Sequence, residues 1–160
     1  VELVLRSLPS TALRYHAQDK TARQLAAALQ RQNAVKQLLH PAFASSPGHA
    51  HWQQLCATPE NPAGAAAGIF SVVFDAPQSQ VDDFCNRLQL FKLGYSWGGH
   101  ISLVMPYALD EMRDLGRGAV LPGCLVRLCI GVEEAAELEG DVAQAYGHAF
   151  GHAWRGQGVH

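Results

Sequence analysis

Between Ser10 and Asn33 the chain carries neither Gly nor Pro, and Ala22, Leu25, Ala26 and Leu29 repeat at the spacing of one helical face. That pattern predicts an amphipathic helix with Ser10 as its N-cap, supported by a content of Ala, Leu, Gln and Arg. Val35 to Leu39 then reads as a short strand stopped by Pro41, Ala42 to Gly48 as loop, and His49 to Cys56 as a short helix. Thr58 to Gly64 carries two prolines, an Asn and a Gly, which makes it an exposed connection before the apolar run Ile69 to Phe74, a buried strand. Helical spacing returns at Val81, Phe84, Cys85 and Leu88, with Asp82 and Asp83 near the positive end of the helix dipole.

Three further apolar runs suit strands of the same sheet: Leu90 to Leu93, Ile101 to Met105, and Leu125 to Ile130. The first two flank a Gly-rich turn. A last helix begins near Glu133 and Glu134 and lines up Ala135, Leu138, Val142 and Ala145, after which Gly147, Gly151, Gly156 and Gly158 fray it into a tail. These elements predict an α+β fold, with a three- to four-stranded, mostly antiparallel sheet and helices packed on one side.

The chain has 160 residues, 48% hydrophobic and 16% charged, enough for one core that buries roughly 70% of the unfolded surface. Twelve basic against fourteen acidic residues give a formal charge of -2, and the basic residues are scattered, so no phosphate-tracking stripe for nucleic acid forms. No apolar run approaches the roughly 20 residues of a membrane span, and residues 1–6 do not make a signal-peptide n-region. The expectation is a soluble, cytoplasmic protein with reduced cysteines. Cys124 and Cys129, an odd number apart on one strand, face opposite ways and cannot share a metal. His148 and His152 lie one helical turn apart but lack the further ligands that a metal site needs. The opening run Val1 to Arg6, with no cap or turn before it, reads as a cut edge.

Two segments carry candidate chemistry. In Gly94-Tyr95-Ser96-Trp97-Gly98-Gly99, three glycines let the backbone approach a ligand closely, while a phenol, a hydroxyl and an indole sit between them; the same composition also suits a plain Gly-rich hairpin. Arg127 interrupts an otherwise apolar strand. Burying a guanidinium unpaired costs several kcal/mol, so it needs an anion or a path to water. Its planar fork matches a carboxylate, such as that of a substrate; an internal acid such as Glu133, or an edge position that lets the head reach solvent, would also serve.

Together these segments resemble the small domain of the cysteine and methionine metabolism family of fold-type I pyridoxal-phosphate (PLP) enzymes. The likeness runs through Leu39-His40-Pro41-Ala42, Gly48-His49-Ala50-His51-Trp52, Gly68-Ile69-Phe70-Ser71, Tyr95-Ser96-Trp97-Gly98-Gly99 and Leu125 to Glu133. It implies that residues 1–146 form a C-terminal substrate-binding domain followed by a tail, 147–160. Arg127 would then bind the substrate's α-carboxylate, with Ser96 beside it, Tyr95 and Trp97 walling the pocket, and Gly98 and Gly99 shaping the loop. The Tyr-Ser-Trp triplet is similar to the β-lyase branch, whose reaction on L-cystathionine yields homocysteine, pyruvate and ammonia; a γ-acting relative on the same scaffold is the alternative, as is a stand-alone binding or assembly module.

The same resemblance places PLP mainly on a large domain absent from this chain, whose Ser-x-Thr-Lys lysine has no counterpart in Lys20, Lys36 or Lys92, so the chain alone is expected to be inactive. The implied partners are a sulfur amino-acid substrate, that large domain and further copies of the same chain. Where the family has Glu-Ser-Leu after the paired glycines, this chain has Ile101-Ser102-Leu103, so a polar anchor of the loop is expected to be missing.

Overall fold

The computed structural model describes residues 1–109 and 123–156. Helical structure starts earlier than the periodicity indicates. Helix α1 (Glu2–Ser7) runs through a single 3-10 turn at Leu8–Ser10 into α2 (Thr11–Gln30). Pro9 lacks the N–H that a continuous helix would use, which accounts for the tighter turn. Because the chain arrives already helical, the Thr11 N–H bonds to the Leu8 carbonyl, and Ser10 is not a side-chain cap: its hydroxyl donates to the Ser7 carbonyl at 3.0 Å.

Strand β1 (Val35–Leu39), helix α3 (His49–Cys56), strand β2 (Ile69–Phe74) and helix α4 (Gln78–Arg87) follow as the sequence predicts. Then come β3 (Lys92–Leu93), β4 (Leu103–Tyr107), β5 (Cys124–Cys129) and helix α5 (Ala135–Phe150). The α+β expectation holds, with five strands among the described residues, in the order β1-β2-β5-β4-β3. All pairs are antiparallel except β3 with β4, which run parallel.

That one parallel pair changes the Gly-rich segment. Parallel neighbours cannot be joined by a tight hairpin, so residues 94–102 form a crossover that carries the chain back to the start of β4. Strand β4 also begins two residues later than expected and includes Pro106. The Val104 carbonyl accepts from the Gly94 N–H on the β3 side. Pro106, two residues on, turns its nitrogen to that same side beyond the end of β3, where no ladder bond is lost.

Strand parity divides the sheet. Phe70, Val72 and Phe74 on β2, Val126 and Leu128 on β5, and Val104 on β4 join one core with Ala22, Leu25, Ala26 and Leu29 of α2. Val81, Phe84 and Cys85 of α4 and Leu138, Val142 and Ala145 of α5 complete it. Cys124 packs against this core, while Cys129 and Arg127 take the opposite parity on β5.

At the C-terminus, α5 continues through Gly147 to Phe150 and stops at Gly151, whose φ of +66° is the left-handed cap that favours glycine. The following residues dock rather than fray: the Trp154 ring meets Tyr146 edge-on at 5.6 Å, and the Arg155 N–H donates to the Gln32 Oε1 at 3.1 Å. The helix thus passes the expected boundary at 147 because Tyr146, Ala149 and Phe150 all have core partners. Gly158 lies outside the described residues.

Candidate functional site

Arg127 sits mid-way along the central strand, paired with Ser71 on one side and Met105 on the other. Its Nη2 donates to the carbonyls of Gly94 at 3.1 Å and Ser96 at 3.4 Å, so the guanidinium lies against the start of the crossover loop. Its carbon stands 5.7 Å from the centroid of the Tyr107 ring. Tyr107 is two residues beyond Met105 on the same face, within diagonal reach of Arg127. Its ring in turn meets Tyr95 edge-on at 6.5 Å.

Among the described residues no carboxylate pairs with Arg127. Glu133, the internal partner that the sequence leaves open, points elsewhere: its two oxygens accept from the backbone N–H of Ser102 at 2.7 Å and from the Ser102 hydroxyl at 2.9 Å. Of the five N–H donors of the Arg127 fork, only those on Nη2 bond to the described protein, and neutral carbonyls do not cancel the charge. A half-buried cation with free fork donors is suited to an incoming carboxylate, held by charge-assisted bonds.

The loop residues named from the sequence gather here, in different roles. Ser96 meets Arg127 through its backbone oxygen. Tyr95, 65% exposed, reaches the site through its contact with Tyr107, whereas Trp97 is 77% exposed and no described hydrogen bond or ring contact joins it to Arg127. Gly98 and Gly99 have room around them, and Gly99 presents its carbonyl to the Gln18 amide at 2.7 Å. A recess of about 360 Å³ adjoins this loop, lined in part by Cys85, Leu93, Gly94, Tyr95 and Met105.

Sequence reasoning missed Tyr107, Gln18 and the Ser102–Glu133 pair. Next to Ile101, Ser102 is fully buried and tied to Glu133. Nearby, Asp19 accepts from the Ala66 N–H at 2.7 Å and pairs with Arg23 at 3.0 Å, and Arg23 lies over the Trp52 ring and reaches the Gly64 carbonyl. The Gln18–Arg23 stretch of α2 thus holds both the 64–66 loop and, through Gln18, the site loop.

Residues 2–147 match the profile of the Cys/Met metabolism PLP-dependent enzyme family. The chain belongs to that family. It is 35% identical over 150 residues to the cystathionine beta-lyase of Bordetella avium, covering 92% of this chain and 35% of that protein. It is 32% identical over 146 residues to the cystathionine gamma-synthase of Mycobacterium bovis, covering 91% of this chain and 36% of that protein. Among solved structures, the cystathionine gamma synthase of Xanthomonas oryzae pv. oryzae in complex with cystathionine superposes with a TM-score of 0.73 at 27% identity, over 93% of this chain and 38% of that one. The chain spans about a third of the length of the curated relatives it matches.

The family is PLP-dependent, but the residues present do not fit the cofactor's Schiff-base partner, which has to sit desolvated beside the ring. All three lysines are exposed: Lys20 on α2, Lys36 paired with Asp75 at 3.7 Å, and Lys92 donating to the Gln89 carbonyl at 2.6 Å. Among the described residues no three His, Cys, Asp or Glu side chains are grouped to hold a metal, and no helix is long and apolar enough to cross a membrane.

Proposed function

We propose that this chain is the substrate-carboxylate-binding domain of a PLP-dependent carbon–sulfur lyase acting on L-cystathionine by β-cleavage, with homocysteine, pyruvate and ammonia as products. The observation that carries this reading is Arg127, a strand-borne guanidinium in contact with the Tyr95–Trp97 loop and without a described acidic partner. In this reading the fork grips the α-carboxylate and fixes the substrate's Cα, the orienting part of catalysis. Tyr107 holds the fork from below, and Tyr95 and Trp97 wall the approach.

PLP would be held mainly by a large domain, and the isolated chain would be inactive. The intact enzyme would be cytoplasmic and homo-oligomeric. The test is product analysis with the full-length gene product, PLP and L-cystathionine, where homocysteine with pyruvate and ammonia is expected. Arg127→Ala should lower kcat/KM by about 2 to 5 kcal/mol, the cost of truncating a buried charge partner. Unchanged kcat/KM in that variant overturns the reading.

The matches to gamma-synthases favour one alternative, a γ-acting enzyme on the same carboxylate site. Cysteine with a four-carbon keto acid among the products would select it. The exposure of all three lysines favours another, a stand-alone binding module, which absence of any lyase activity in the full-length product would select.

A further inference from the structure

The Arg127 fork is aimed only if the loop against it is held, and the loop's far end is held by a compact set of bonds from α2, β3 and the segment that follows β5. Gln18 on α2 donates to the Gly99 carbonyl at 2.7 Å, and the Val132 N–H donates to the His100 carbonyl at 3.1 Å. Ser102, fully buried, is bound at four points, its carbonyl accepting from the Lys92 N–H of β3 at 3.0 Å. Its N–H and its hydroxyl each donate to one oxygen of Glu133, at 2.7 and 2.9 Å, and the same hydroxyl oxygen accepts from the Gly131 N–H at 2.9 Å.

The packing leaves no slack. A Cβ at Gly131 would stand 2.6 Å from the His100 carbonyl oxygen and 2.7 Å from the Ile101 carbonyl carbon, and would also strike the Glu133 carboxylate. Backbone cannot yield as a flexible side chain does, so any side chain there pushes the loop away from β5. Gly131 is four residues past Arg127 in the chain. The segment that carries the fork thus ends in the device that pins the fork's loop.

We infer that Glu133 is a positioning residue for the carboxylate site, clamping the Ser102 end of the loop so that its Gly94–Ser96 end meets Arg127 in fixed geometry. This rests on the carboxylate-binding role proposed for Arg127. The two oxygens of Glu133 face two donors; in Glu133→Gln an NH2 stands where one acceptor stood, so the Ser102 hydroxyl has to reverse and accept, which leaves its own hydrogen without this partner. Ser102→Ala removes the hydroxyl but keeps the N–H bond.

The test uses the full-length gene product and two readouts. In E133Q and S102A, amide hydrogen exchange at Ser102, Gly131 and Val132, whose N–H groups are bonded within the clamp, should accelerate roughly tenfold or more, with the β2 amides unaffected. KM for the amino-acid substrate should rise roughly tenfold while kcat changes less than about threefold, as for loss of substrate positioning in the ground state. The double variant should cost less than the sum of the two singles, since both weaken the bond between the Ser102 hydroxyl and Glu133. Faster loop exchange with unchanged KM overturns the inference, leaving a purely structural role, and so does unchanged exchange. If E133Q fails to fold, S102A decides alone. Unchanged KM in R127A instead overturns the parent reading, a result distinct from R127A impaired with E133Q and S102A normal.

Discussion

The Tyr107 ring lies under the Arg127 guanidinium, carbon to centroid 5.7 Å, on the face of the sheet that both strands share. A flat cation on a ring is both stabilised and oriented, a relationship that an ammonium on a flexible stem does not reproduce. Arg127→Lys should therefore keep the charge and lose the fork. KM for the substrate is expected to rise roughly tenfold, between wild type and Arg127→Ala. Steady-state kinetics check this, and a wild-type KM in the Lys variant would mean that charge alone suffices.

His40 makes stability depend on pH. It is fully buried, its Nδ1 accepts from the Ala42 N–H at 3.2 Å, and its Nε2 has no hydrogen-bond partner among the described residues. Burial above all, then the Arg23 charge, holds its pKa down at about 4, against an upward pull from Asp19. The unfolded chain, with an ordinary value of 6.5, binds more protons throughout that interval. Stability is therefore complete above pH 6.5 and falls as the pH drops toward 4, by about 2 kcal/mol at pH 5. Urea midpoints at pH 7.5 and pH 5 should diverge for wild type and stay closer together for His40→Gln.

The phenol of Tyr146, fully buried, accepts the Ala34 N–H at 3.0 Å. Tyr146→Phe keeps the ring contacts with Phe150 and Trp154 but strands a buried backbone donor. The expected loss is about 1 to 3 kcal/mol, read as a lower urea midpoint with unchanged slope.

Thiol reactivity should divide along burial. Burial, helped by the Asp82 charge, pushes the Cys85 thiol up to about 12, and burial also raises Cys129 despite Arg127. Cys56 is exposed. Brief alkylation at pH 8 followed by peptide mass spectrometry should label Cys56 in the native protein and Cys85 and Cys129 only after denaturation, because the thiolate is the nucleophile. Native labelling of Cys85 would mean that α4 opens readily from the sheet.

Much of this architecture was legible in the sequence where the signal is local. The periodicity of α2, the apolar run of β2 and the parity of β5 follow from side chains a few residues apart, and Arg127 stood out because it breaks such a run. What escaped notice depends on register between distant segments. Tyr107 meets Arg127 through the pairing of β4 with β5, and Ser102 meets Glu133 across 31 residues. The parallel direction of β3 against β4 was hidden for the same reason: two apolar runs around a glycine-rich stretch look alike whether the chain turns back or crosses over. Helix α1 was missed because Pro9 masks a helical path that a 3-10 turn repairs.

The strand order also constrains synthesis. The last of the described strands to be made, β5, is the one inserted between β2 and β4, so until residue 129 has left the ribosome no strand joins the β1–β2 pair to the β3–β4 pair. Nascent chains shorter than that carry open strand edges and an unfinished core, the state in which aggregation competes with folding. The arginine arrives on the piece that closes the sheet, so a chain that presents its guanidinium correctly is one that has already finished assembling.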